Sequence, residues 1–274
     1  MQKTKLNNKV IEVVKLPDTV PVHKILGNDL FSVLYNNIFI CARKHSGKTN
    51  LIFNIIKQTV NTDTTVIVFS GTHNQDSTWG YIKGFLEAKK VDNMFFDSIL
   101  DGKVNSLDEI IEMIKHDDDD KHELTKEEKE AIRVRKMVNT ILRVPEERVK
   151  KKKKNKLIAP KYLFIFDDIS SELKNKSVDK LLKTNRHFKC RVIVSTQWIT
   201  DLLPSSRRQI QSYILFPGHN TEKLETIYEN ADVHITFEKF LELYHDATSE
   251  RYNFFFFSSD YDDYRKNFNE RYEI

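Results

Sequence analysis

The segment Ala42-Arg43-Lys44-His45-Ser46-Gly47-Lys48-Thr49 constrains this 274-residue chain more than any other. The apolar run Ile38-Phe39-Ile40-Cys41 leads into it, and Leu51, Ile52, Ile55 and Ile56 follow at helical spacing. A strand, a loop closing on Gly-Lys-Thr and an amphipathic helix form the context in which backbone N–H groups cradle phosphates. The helix N-terminus adds partial positive charge. On this reading the loop from Ala42 through Asn50 takes a nucleotide, Lys48 reaches its β- and γ-phosphates, and the Thr49 hydroxyl ligates Mg²⁺. Ala42 stands where a first glycine is expected. If that position needs positive φ, alanine costs about 1 kcal/mol there. The competing reading is a basic turn ahead of a buried helix.

Further strands are expected at residues 65–70, 162–167, 191–197, 213–216 and 252–257, with a short one at 10–14. The run Thr65-Val66-Ile67-Val68-Phe69-Ser70 is β-branched and continuous, as a strand buried on both faces should be. Helices are expected at residues 79–88, 107–114, 171–184, 221–230 and 237–245. The alternation of strand and helix predicts an α/β fold with a mainly parallel, right-handed sheet. With 39% hydrophobic and 31% charged residues, the chain reads as a polar globular protein, here one domain over residues 1–274. No apolar run approaches the roughly 18 residues of a membrane helix, and Met1-Gln2-Lys3-Thr4-Lys5 lacks the apolar centre of a signal peptide. Cys41 and Cys190 lie in apolar runs, which suits small core residues in a reducing compartment.

Residues 91–160 break the pattern and read as a charged insertion. A long charged helix is expected at 124–142, between Asp117-Asp118-Asp119-Asp120 and a basic run of Arg148, Lys150-Lys151-Lys152-Lys153-Lys154 and Lys156. Such runs are solvated loops or arms, or else contacts to nucleic-acid phosphates. The net charge of +4 does not decide between them. Residues 258–274 read as a terminal tail, helical or partner-binding.

A phosphate loop alone says only that a nucleotide binds. Asp167 follows Leu163-Phe164-Ile165-Phe166, so a buried strand would deliver a carboxylate beside Thr49 at the sheet edge where ligands sit. That is the form of a second Mg²⁺ ligand, and Asp168 next to it is placed to polarise the attacking water. Related ATPases often carry Glu there; Asp is one methylene shorter. The alternative for Asp168 is a helix cap. Gln197 ends another buried strand with a neutral amide able to touch the γ-phosphate or orient water. Arg186 precedes that strand at its opposite end, out of reach of its own loop but within reach of a neighbouring subunit's. Arg207 and Arg208 compete with it for a charge-stabilising role in trans.

Four blocks in order, Lys44-His45-Ser46-Gly47-Lys48-Thr49, Phe164-Ile165-Phe166-Asp167-Asp168, Asn185-Arg186-His187 and Val192-Ile193-Val194-Ser195-Thr196-Gln197, resemble the genome-packaging ATPases of large double-stranded DNA viruses. These poxvirus-type ATPases belong with the FtsK–HerA class of P-loop DNA pumps. The similarity spans roughly residues 36–217. It implies a RecA-like sheet in the order 5-1-4-3-2, with the Gln197 strand between those carrying Lys48 and Asp167. It implies ATP and Mg²⁺ as cofactors and a homo-oligomeric ring, pentameric or hexameric, around double-stranded DNA. It also implies a capsid or portal partner, and work in the host cytoplasm at the site of virus assembly or in the virion. A cellular HerA-like pump or helicase shares the motor without the capsid, and a nucleotide-binding structural or regulatory protein with weak hydrolysis stands as the reading from another class.

Overall fold

The computed structural model describes residues 20–102, 104–119 and 157–274. The strand expected at 10–14, the helix at 124–142 and the basic run from Arg148 to Lys156 lie outside them.

Strand β1 (Asn37–Cys41) feeds the loop and helix α1 (Lys48–Thr59). Then come β2 (Thr65–Ser70), α2 (Ser77–Ala88), β3 (Asp92–Phe96), a small hairpin of β4 (Leu100–Asp101) and β5 (Val104–Asn105), and α3 (Ser106–Asp119). After the charged stretch the chain continues with β6 (Tyr162–Asp167), α4 (Lys176–Thr184), β7 (Cys190–Thr196), the short α5 (Pro204–Arg207) and β8 (Ser212–Leu215). Helices α6 (Thr221–Ala231) and α7 (Phe237–Ala247) precede the closing strands β9 (Phe255–Ser258), β10 (Asp263–Lys266) and β11 (Glu270–Arg271).

All but the small hairpin join one nine-stranded sheet in the order β11-β10-β9-β8-β1-β7-β6-β2-β3. The pairs from β8 to β3 are parallel, and β9, β10 and β11 add an antiparallel edge. Within it, β8-β1-β7-β6-β2 is the 5-1-4-3-2 order, so β7 lies between β1 and β6.

Helices α1 and α2 cover one face, where Ile38 and Ile40 meet Ile52, Ile55, Ile56 and Trp79. Helices α3, α4, α6 and α7 cover the other, where Phe39, Phe164 and Val192 meet Ile111, Leu181, Ile227 and Phe240. Every residue of β1, β6 and β7 is buried, which is why those strands read as unbroken apolar runs rather than alternating ones.

Three expectations change. Residues 91–119 are not wholly an insertion: β3 pairs in parallel with β2, and α3 packs Leu107, Ile110, Ile111 and Ile114 into the core. The helix expected from 171 starts only at Lys176, where the Asn175 side chain accepts from Ser177 N–H at 2.9 Å. The terminal residues form neither helix nor free tail. Tyr264 is 1% exposed in the sheet, and Arg265 pairs with Asp263 and donates to the Asp29 carbonyl at 2.7 Å. Asp263 and Arg265 are buried as an ion pair within β10, and this charged, mixed sequence hid the strand.

Candidate active site

The chain leaves β1 at Ala42, which is 2% exposed and packed among the apolar residues under α1. Ala42 is not among the residues with positive φ; the left-handed conformations fall at His45 (φ 61°) and Gly47 (φ 93°). The cost expected for alanine is therefore not incurred. The glycine that the geometry does demand is Gly47, the residue before the first turn of α1.

Lys48 Nζ lies 3.4 Å from Asp167 Oδ1 and forms an ion pair with Asp168 Oδ2. The Asp167 side chain is 2% exposed and that of Asp168 32%. Burial raises the Asp167 carboxyl above the ordinary carboxylate range, and the Lys48 ammonium pulls the other way. Asp167 Oδ1 and the Ser46 hydroxyl are buried without a hydrogen-bond partner among the described residues. A buried lone pair left open beside a lysine suits a ligand or cation that completes it. Asp168 sits at φ 56°, with its N–H donating to the Ser195 carbonyl at 3.3 Å. It does not cap the next helix, whose cap is Asn175. A nonglycine residue held in that conformation at the mouth of a charged cavity points to a positional demand.

The cavity measures about 610 Å³, and its lining includes Gly47, Lys48, Thr49, Asn50, Asp167 and Asp168. Lys44 and His45 also border it. The structure thus brings together the loop, the Thr49 hydroxyl and both carboxylates. Among the described residues no group of three His, Cys, Asp or Glu side chains could hold a metal alone. The donors that fit Mg²⁺ here are Thr49 and Asp167, with the remaining oxygens left to phosphates and water.

Gln197 is placed differently. It follows β7 at the same sheet edge, yet it lines a neighbouring cleft of about 550 Å³ with Arg43, Lys44, Trp198, Asn220 and Lys223. Lys44 borders both spaces. Arg186 lies at the far edge of the sheet, with Arg208, in a cavity of about 880 Å³ that also touches Asn37 at the start of β1. Arg207 is already engaged: Nε donates to the Leu202 carbonyl at 3.0 Å and Nη2 to that of Thr200 at 3.3 Å.

No protein-family model and no curated protein matches the sequence. Among solved structures, the chain is similar to the genome-packaging NTPase of Sulfolobus turreted icosahedral virus 2 in complex with AMP. The two are 16% identical, with 88% of this chain and 98% of that one covered and a TM-score of 0.47. The DNA-packaging ATPase from Sulfolobus turreted icosahedral virus is similar at 16% identity, covering 84% of this chain and 95% of that one, with a TM-score of 0.46. The cytoplasmic domain of the Thermomonospora curvata type VII secretion ATPase is 11% identical over 82% of this chain and 24% of its own length, at a TM-score of 0.41.

Sequence reasoning missed several residues around the loop. Thr72, Asp76, Thr78, Arg251 and Tyr252 all border the cavity that holds Lys48. Asp76 announces itself only as the cap of α2, accepting from Thr78 N–H at 2.8 Å. His219 was equally silent. Its Nε2 lies 3.1 Å from the Cys41 carbonyl, and burial, with help from Lys223, pushes its pKa down to about 4 from 6.5. Between those values the unfolded chain takes up a proton that the folded one refuses. Stability is thus full above pH 6.5 and falls as the pH drops toward 4. The loss at the bottom of that window is on the order of 3 kcal/mol. Urea midpoints should show it, and His219→Asn should flatten the slope between pH 6.5 and 4.

Proposed function

We propose that this chain is a Mg²⁺-dependent ATPase that moves double-stranded DNA, packaging a viral genome into a preformed capsid. The observation that carries the ATPase reading is one cavity holding Lys48, Thr49, Asp167 and Asp168 against a left-handed Gly47. In this arrangement Lys48 leaves the carboxylates for the β- and γ-phosphates. The release frees Asp167 to serve, with Thr49, as a metal ligand, and frees Asp168 to accept a proton from the attacking water. Bound Mg²⁺ supplies charge neutralisation at the phosphate oxygens. Gln197, just past the end of the strand between β1 and β6, acts as the link between that site and the neighbouring cleft.

The cleft itself supports the DNA reading. Arg43, Lys44 and Lys223 line it with two amides, Gln197 and Asn220. Among the described residues none of these cations is paired with a carboxylate. Cations without a carboxylate partner beside amide donors suit phosphodiesters. Far-edge Arg186 and Arg208 support assembly into a ring in which one subunit completes the next subunit's site. The capsid or portal partner, and action in the host cytoplasm or virion, follow from the packaging reading rather than from any residue here. Among the described residues no helix is long and apolar enough to cross a membrane.

A second reading, a nucleotide-binding regulatory protein with weak hydrolysis, is favoured by one observation: Lys48 is tied to both carboxylates at once. ATP hydrolysis with and without long duplex DNA, measured alongside particle mass, separates the two. A DNA-stimulated oligomer is expected. A monomer indifferent to DNA would overturn the translocase reading.

A further inference from the structure

Tyr252 is difficult to explain as a structural residue. It sits in the turn before β9 with φ 72°, a conformation that glycine or asparagine adopts at lower cost than an aromatic residue. Its ring gains little from the core in return, since it is 54% exposed. Among the described residues no other aromatic ring packs against it. What it touches is the phosphate loop. A Cβ built on Gly47 would lie 3.3 Å from Tyr252 Cδ1 and 3.9 Å from Cε1, the two atoms of one ring edge. The guanidinium of Arg251 stands 4.8 Å from the ring centroid.

The topology says which end of the cavity this is. Strand β9 lies beyond β8, on the side of β1 away from β7 and β6. Phe255 pairs with Leu215 at the end of β8, so the turn holding Tyr252 stands at the same sheet edge as the loop. The cavity therefore runs from Asp167 and Asp168, past Gly47 and Lys48, to Arg251 and Tyr252. One end is set for the terminal phosphate. The other is aromatic and lies on the opposite flank of the loop.

We propose that Tyr252 is the platform on which the nucleobase stacks, with Arg251 covering one ring face and leaving the other to the base. This rests on the nucleotide reading of the Lys48 cavity and adds the half of the ligand that the phosphate loop does not read. Base–aromatic stacking tolerates any base, because each has a π-face. The platform thus contributes affinity for a nucleoside triphosphate over a bare polyphosphate. Glycine at position 47 keeps the loop backbone clear of the ring edge.

The test compares Mg²⁺-ATP with Mg²⁺-tripolyphosphate, which carries the phosphates and lacks the base. The wild-type chain should bind ATP at least about tenfold more tightly than tripolyphosphate. Tyr252→Ala should lose about tenfold in ATP affinity while its tripolyphosphate affinity stays within about twofold, and Tyr252→Phe should behave as wild type. Retained tripolyphosphate binding shows that the alanine variant is folded; should it not fold, Tyr252→Leu carries the same comparison. The platform is overturned if the alanine or leucine variant binds ATP like wild type, or loses both ligands alike. A wild-type protein that binds neither ligand overturns the nucleotide reading as well.

Discussion

Lys48→Ala is expected to lower ATP turnover by at least about 100-fold, the usual cost of losing one charged donor at a reacting centre. Phosphate release at saturating ATP measures it. The same substitution acts on the empty protein. Lys48 is the cation within reach of the buried Asp167, and it also pairs with Asp168. Without it two neighbouring carboxylates face each other, so the Asp167 carboxyl, already raised by burial, should rise further. A thermal melt run in parallel distinguishes a dead site from an unfolded one. Undiminished turnover in a folded variant would remove Lys48 from the chemistry, and with it the assignment of hydrolysis to this cavity.

The second large effect concerns the far edge of the sheet. Arg186→Ala should reduce turnover about 1,000-fold if its guanidinium serves a neighbouring subunit's transition state. Asp168→Asn should be similarly inactive for a different reason, the loss of the group beside the attacking water. Mixing the two inactive proteins should restore part of the activity, because some boundaries then join an intact Arg186 to an intact Asp168. Arg208→Ala in the same mixtures tests the other arginine in that cavity. Arg207, with Nε and Nη2 donating to its own chain, should not complement in this way. If every ratio stays inactive while oligomers still form, Arg186 works within its own subunit or only holds structure.

The centre of the sheet was legible because strands covered on both faces leave long apolar runs, and those runs ended at Asp167 and Gln197. The phosphate loop was legible because Gly47, Lys48 and Thr49 must be adjacent to work. Its apparent flaw at Ala42 was a misplaced demand. Positive φ falls at His45 and Gly47, which only the loop's path could reveal. Strand β3 was hidden by Asp92 and by residues only partly covered at a sheet edge. The Tyr252 turn was hidden for another reason. A residue brought to the loop by a late antiparallel strand has no fixed spacing from Lys48, so no motif can hold it.

Lys48 and Arg186 stand at opposite ends of strands about five residues long, roughly 16 Å apart along the sheet. A two-fold dimer can place an arginine from one end of the domain over a lysine at the other only by burying both ends in one self-complementary interface, each pair matched reciprocally. Head-to-tail contacts need no such reciprocity, and these either close on themselves or continue without limit. In a closed assembly catalytic centres and subunits are equal in number. In an open one the last subunit always lacks its arginine. If Arg186 acts in trans, partial assembly of this chain should show as a deficit in activity per subunit that grows as an open particle shortens.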